Sequence, residues 1–475
     1  MDGTGWEKPK GIMTTIDLKI SLKHIEPPIW RRIRISSEAS LLDLHYVIQH
    51  AFGWTNNHLF IMQIKSMKFV NYQDWQEDAY QFQSAALAIL EDFISREISI
   101  GEKISYVYDM GDGWEHEICI ISIDDANQSF SGAICVDGKR ACPPEDVGGL
   151  PGYYQLLDGL QNNTFEEYQQ AMGWLGYSFD PEAFDLDNVN RSLSDYYKAT
   201  QLKDDSYWAK LLPMYNPKFD FVSGWLSHLS AGHRKYAEAL TFRRDVVALL
   251  IYLRDHKVRG TKAMGNFPRK DIRAMAARFE NPMRLDLDFG DKVYELRTED
   301  EVPEMIFMHN FVNTAGLILG GENTLWELTS LGEKFLASNP EQQAWFLVKV
   351  WFYQFNWEFP YPLWDAELSG DFLRFQKTLI EQLLTYPNGQ RIKIYTVTQD
   401  LDKSMPGWII VKKQGDYDQS TKRRFFTDVV VKPFEKFGLF EVVKTKDEDF
   451  NFDFYFNYTH IIMTDFGKTL MMYLR

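Results

Sequence analysis

The run "TTIDLKISLK" (14–23) puts Ile16, Leu18, Ile20 and Leu22 on alternate positions. Period two is the mark of a half-buried strand, so a strand is expected here. In "EPPIWRRIRI" (26–35) two prolines break regular structure, and then Arg31, Ile33 and Ile35 alternate with Trp30, Arg32 and Arg34. "SLLDLHYVIQHAFGW" (40–54) changes to helical spacing. Leu41, Leu44, Val47, Ile48 and Ala51 form one stripe, Ser40 can cap the start, and Gly53 ends it. "HLFIMQI" (58–64) predicts another strand. "KISYVYD" (103–109) and "WEHEICIIS" (114–122) alternate on either side of "MGDG", whose glycines and Asp-Gly pair fit a hairpin turn. On the second of these strands Trp114, His116, Ile118 and Ile120 share one face, and Glu115, Glu117 and Cys119 share the other. "CPPEDVGGLPGY" (142–153) reads as a rigid irregular loop, and "YYQLLDGL" and "FEEYQQAMGWLG" as helices.

From about residue 197 the pattern turns helical. "SYWAKLLPMYNPKFDFVSGWLSHLS" (206–230) bridges to a long helix, "FRRDVVALLIYLRDH" (242–256). "NFPRKDIRAMAARF" (266–279) predicts a helix with Pro268 in the first turn. At 100° per residue Ile272, Met275, Ala276 and Phe279 fall together, and Arg269, Lys270 and Arg273 fall on another face. A weak internal repeat begins at Gly316 and again at Gly438. Each copy runs Gly-Leu, a strand, a polar hairpin, a second strand, then a Thr-x-x-Gly helix start. The segments "LTSLGEKFL" (328–336) and "MTDFGKTLM" (463–471) resemble the close of a winged helix, over roughly 240–345 and 370–475.

The pieces "PPIWRRIRI", "LLDLHYVIQHAFGW", "HLF", "YVYDMGDGWEHEI", "ACPPEDVGG" and "FDPEAFDLDNVN" occur in an order that resembles the plasmid pRiA4b ORF-3-like family. The resemblance implies a compact α+β domain of a kind widespread in bacteria and on mobile elements. It also carries the label of an insertion-element passenger protein of a resolvase-like type. No serine-recombinase nucleophile segment with its arginines is present to support that label, and the resemblance implies no mechanism. The expected organisation is a polar tail (1–11), an α+β domain with an antiparallel sheet (12–195) and a helical linker (196–239). Two winged-helix-like modules follow, at 240–345 and, after further helices, within 346–475.

Composition narrows the functions. The formal net charge is -16, so the field of the whole molecule repels polyanions, although a local basic patch can act within a screening length. The cysteines are Cys119, Cys135 and Cys142 with no CxxC, which points to a reduced, cytoplasmic protein. No apolar run is long enough to span a bilayer and the first residues are not a signal peptide, so no membrane partner is expected. GxxxxGK[ST], GxSxG, HExxH and a dinucleotide fingerprint are all absent, which counts against ATPase, serine hydrolase and zincin chemistry.

Three groups of residues carry candidate chemistry. Asp109, Asp112, His116, Glu145 and Asp146 are the types that hold a hydrolytic divalent metal, with Cys142 as a softer ligand that mixes poorly with hard oxygens. The structural reading is a hairpin turn and a capping loop whose carboxylates answer Arg31, Arg32 or Arg34. Trp30, Arg32 and Arg34 interleave an aromatic with guanidinium groups, as in stacking sites for bases or phosphate. Arg259, Lys262, Arg269, Lys270 and Arg273 form a basic stretch in an acidic chain, placed to meet DNA if the helix belongs to a winged helix. The resulting expectation is a non-catalytic binding or regulatory protein linked to mobile elements, with DNA or a protein as partner and no cofactor. The alternatives are a metal-dependent hydrolase, acting on nucleic acid, and a protein-interaction adaptor.

Overall fold

A computed structural model describes residues 13–71, 83–85, 88–94, 99–126, 132–162, 179–201, 229–289, 292–353, 355, 357, 366–368, 372–411, 418–446 and 456–474. The predicted helix at 165–176, the N-terminal tail and most of the bridge at 206–230 lie outside them. The chain divides into two compact units, Met1–Lys218 and Phe219–Arg475.

The first unit is built on an eight-stranded sheet of order β5-β4-β3-β6-β7-β1-β2-β8. Its strands are β1 (Met13–Leu22), β2 (Trp30–Ser36), β3 (Phe60–Ile64), β4 (Met67–Val70), β5 (Gln83–Ser84), β6 (Lys103–Tyr108), β7 (Trp114–Ala126) and β8 (Ala133–Lys139). All neighbours are antiparallel except β4 and β5. The antiparallel sheet expected from the alternating runs is present. Ile16, Leu18, Ile20, Ile33, Ile35, Trp114, Ile118 and Ile120 are all buried, as their periodicity requires. Helix α1 (Leu41–Phe52) has the expected ends. Ser40 and Asp43 form a reciprocal capping box, and Gly53 closes the helix at φ 84°, a conformation costly for any residue with a Cβ. The unit's other helices are α2 (Leu90–Ile94), α3 (Gly149–Asn162) and α4 (Leu186–Gln201).

Arg31 sits on the core face of β2 and is 3% exposed. Its guanidinium donates to the carbonyls of Ala51, Trp30, Lys139 and Arg140, and it lies over the rings of Phe52 and Phe184. A fork of five donors suits four carbonyls, so a buried cation replaces an apolar side chain here.

The second unit is mainly helical. It runs α5 (Ala231–Ala239), α6 (Thr241–Asp255), β9 (Val258–Arg259), α7 (Arg269–Ala276), β10 (Leu287–Phe289), β11 (Lys292–Tyr294), α8 (Pro303–Thr314), β12 (Ile318–Leu319) and β13 (Leu325–Leu328). Then come α9 (Ser330–Ala337), α10 (Pro340–Tyr353), β14 (Ala366–Leu368), α11 (Phe372–Thr385), β15 (Arg391–Lys393), α12 (Ile394–Ser404) and β16 (Ile409–Val411). Last are α13 (Asp418–Phe426), a π-helical turn (Thr427–Val431), α14 (Lys432–Lys436), β17 (Phe440–Lys446), β18 (Phe456–Met463) and α15 (Asp465–Leu474).

The repeat seen in the sequence has a physical basis. Thr329 Oγ1 accepts from Gly332 N and donates to Gly316 O, and Thr464 Oγ1 accepts from Gly467 N and donates to Gly438 O. One hydroxyl thus caps a helix and ties it to the residue that opens the hairpin. The helix then passes so near the first strand that a Cβ at Gly332 would lie 2.2 Å from Leu317 O, and one at Gly467 2.3 Å from Leu439 O. Only glycine permits that approach. The associated three-stranded sheets have orders β12-β13-β9 and β15-β18-β17, so in each the hairpin's second strand is central.

Candidate functional site

Three irregular segments of the first unit converge at the C-terminal end of α1. The first follows Gly53. Trp54 Nε1 donates to Pro143 O, Asn57 N to the Tyr108 hydroxyl, and both Thr55 N and Thr55 Oγ1 to Glu145 Oε1. These bonds hold the loop before β3 and place His58 beside the acidic groups. The second segment is the β6–β7 turn. Asp109 is at φ 57°, and its Oδ1 accepts from Gly111 N at 2.8 Å and Asp112 N at 3.2 Å. Asp109 thus serves the turn amides, as expected of a short acidic side chain there. The third is the loop 141–148. There Asp146 is at φ 56°, and Gly148 N donates to Asp112 Oδ2 at 3.2 Å.

His58 Nε2 lies 3.0 Å from Asp146 Oδ1, 3.6 Å from Asp109 Oδ2 and 3.7 Å from Glu145 Oε2. Ligand-capable atoms of His58, Asp109 and Asp146 all fall within 4.8 Å of one another. Asp109 is buried and Asp146 faces solvent, so the cluster opens on one side. Tyr108 donates its hydroxyl to Glu145. Burial, with the adjacent Glu145 charge, pushes the Tyr108 phenol well above its ordinary range and keeps it a donor.

The structure brings Asp109, Glu145 and Asp146 together and adds His58, which the sequence reasoning missed. His116 is not among them. Its face of β7 points into the core, where its Nδ1 meets Trp114 O at 3.0 Å and its ring packs edge-on to Phe52 and Trp54. Burial pushes its pKa down to about 3, so it is neutral at physiological pH. Cys142 also stands apart from the cluster, and burial raises its thiol well above the ordinary value. Asp112 works as a structural acceptor for Gly148.

A protein from Sinorhizobium fredii (strain NBRC 101917 / NGR234), described as the uncharacterized protein y4hQ, is 31% identical over 187 residues, which span 39% of this chain and 93% of that protein. Residues 14–188 match the family model described as plasmid pRiA4b ORF-3-like protein. The chain belongs to the plasmid pRiA4b ORF-3-like family. A crystal structure of a protein of unknown function from Methanosarcina mazei Go1 is similar at 34% identity, covering 37% of this chain and 98% of that one with a TM-score of 0.33.

Within this family member the arginines do not answer the acidic loops. Asp17, 1% exposed, takes both Arg32 and Arg34 at 2.7 Å, and Lys19 lies over the half-buried Trp30 ring. Glu115 pairs instead with Lys23, and Glu117 with Lys103. The guanidinium groups beside Asp17 lower its pKa against the opposing effect of burial. The basic stretch of the second unit is partly neutralised as well. Arg273 is held by Asp286 through two nitrogens, Arg269 lies 3.7 Å from Glu295, and Arg259 donates to Asn323 O. Lys262 and Lys270 are exposed, with no ion pair among the described residues.

Proposed function

We propose that this is a cytoplasmic, non-catalytic binding protein whose second unit carries two winged-helix modules that act through protein contacts. The module reading is supported by element order. Setting aside the β10–β11 hairpin between α7 and α8 and the strand β16 after α12, helix, strand, helix, helix, then a hairpin whose second strand is central describes α6–β9–α7–α8–β12–β13, and α11–β15–α12–α13/α14–β17–β18 repeats it. The family's plasmid-derived description supports a link to mobile elements.

The observation that carries the choice of protein over DNA is that α8, the helix that would read a groove, leaves only Pro303 and Glu304 exposed. Met305, Phe307, Met308, Phe311 and Val312 are buried, with Phe307 packed on Trp351 and Phe355, and Phe311 on Phe437. The remaining basic helix, α7, has its Arg273 charge engaged by Asp286. A salt titration of duplex-DNA binding tests this, run beside the triple variant Arg269→Glu, Lys270→Glu, Arg273→Glu. The expected result is no salt-dependent affinity that the variant abolishes. A steep salt slope lost in the variant would replace this reading with phosphate contact through α7.

A second reading, metal-dependent hydrolysis, is favoured by the convergence of His58, Asp109, Glu145 and Asp146, with His58 in the place expected for His116. Turnover of a model phosphodiester by protein supplied with Mn2+ tests it. No turnover removes it.

A further inference from the structure

We infer that His58 Nε2, Asp109 Oδ2 and Asp146 Oδ1 form a binding site for one divalent first-row transition cation, with Glu145 positioning the site. The inference rests on the same cluster as the hydrolytic reading but needs no reaction, and it is independent of the protein-contact reading.

The first support is the state of the inward-facing atoms. Asp109 spends Oδ1 on two turn amides, and Glu145 spends Oε1 on Thr55 and Tyr108. Those bonds orient each carboxylate and leave Asp109 Oδ2 facing His58 without a hydrogen bond among the described residues. His58 Nε2 is itself sealed from solvent, makes no hydrogen bond, and points at three carboxylates. Negative charge converging on one imidazole nitrogen favours positive charge at that point, supplied by a metal ion or by a proton on the ring, and the spacing below selects the metal.

The second support is spacing. With metal–ligand bonds of about 2.0–2.2 Å, adjacent ligand atoms around one ion are separated by roughly 3–3.6 Å. The separations of 3.0 and 3.6 Å from His58 Nε2 fall in that range. At 3.7 Å and outside the tightest group, Glu145 Oε2 belongs just beyond the ligands, where it adds charge and holds the Thr55 loop.

Ligand chemistry selects the ion. Carboxylates alone would suit Mg2+ or Ca2+, whereas an imidazole with two carboxylates suits Zn2+, Mn2+ or Co2+. The exposed Asp146 leaves an entry path and open coordination positions. The ion would join the loop after α1, the β6–β7 turn and the 141–148 loop, which lie far apart in the chain.

The test is equilibrium dialysis of the untagged 475-residue chain against Zn2+ or Mn2+ with elemental analysis, and visible absorption of the Co2+-loaded form. One equivalent per chain is expected. His58→Gln and Asp109→Asn should each weaken it at least about tenfold and change the Co2+ spectrum. Asp146→Ala, at an exposed position, should weaken binding with no change in folding. Less than a stoichiometric amount bound by the wild type, or full affinity in both His58→Gln and Asp146→Ala, overturns the assignment. Stoichiometric metal without phosphodiester turnover supports the site and rejects only the hydrolytic reading.

Discussion

Acid should weaken the first unit through two buried histidines, and His116 is the cleaner probe. His45 and His116 are 1% and 0% exposed, and burial pushes both pKa values down to about 3 from an ordinary 6.5. His45 also bonds the Tyr106 hydroxyl and Asn56, so replacing it would disturb a side-chain network, whereas His116 bonds only backbone groups. Between these pKa values the unfolded chain binds protons that the folded protein excludes. Stability is therefore present above pH 6.5, falls as pH drops below it, and stops falling from this source near pH 3. From pH 7 to pH 5 each histidine accounts for a loss of about 2 kcal/mol, or about 4 kcal/mol for the pair. His116→Phe keeps a ring of similar size among Phe52, Trp54 and Tyr106 and removes the titration. Urea pulse proteolysis of the full chain at the two pH values, following fragments of the first unit by mass spectrometry, reads the difference. The variant should lose about 2 kcal/mol less than the wild type. Equal losses in both proteins would refute the argument, because His116 would then be free to protonate in the folded state.

Three further outcomes follow from packing. Arg31→Lys keeps the charge but cannot reach four carbonyls, and should destabilise the first unit by about 2–4 kcal/mol in the same proteolysis assay. Gly467→Ala would force a methyl against Leu439 O and should cost the second unit about 1–3 kcal/mol, with Gly332→Ala behaving alike. Thr464→Ala removes the helix cap and its tie to Gly438, and thermal unfolding should report a smaller loss, about 1 kcal/mol.

Much of the first unit was legible because strand alternation is local. The buried face of β7 falls on Trp114, His116, Ile118 and Ile120, and α1 starts at its Ser40 cap and ends at Gly53. The same periodicity placed His116 on the face of Trp114 and Ile118, and that face is the core rather than the acidic cluster. His58 was overlooked because it lies in an irregular stretch with no periodic signal, and its acidic partners are more than fifty residues away. The one available hint was its place in "HLF", five residues after the helix-ending Gly53. The pairing of Arg32 and Arg34 with Asp17 follows from strand register, which sets Asp17 opposite Arg34 and could not be fixed from "PIWRRIRI" alone.

Sequence by itself therefore determined the strands β1, β2, β3, β6 and β7 and the helices α1, α6 and α7, where α1 is capped, and that the second unit contains two copies of one helix-and-hairpin device, while α3 starts at Gly149 inside the stretch that reads as a loop. Those properties depend on residues within a turn or two of each other, so nearby side chains encode them. Tertiary structure alone decided that a buried arginine is satisfied by four carbonyls, that most of α8 is buried, that Arg273 is paired, and which histidine meets the carboxylates. Each of these turns on groups distant in the chain and close in space, where burial and charge act through separation rather than sequence order.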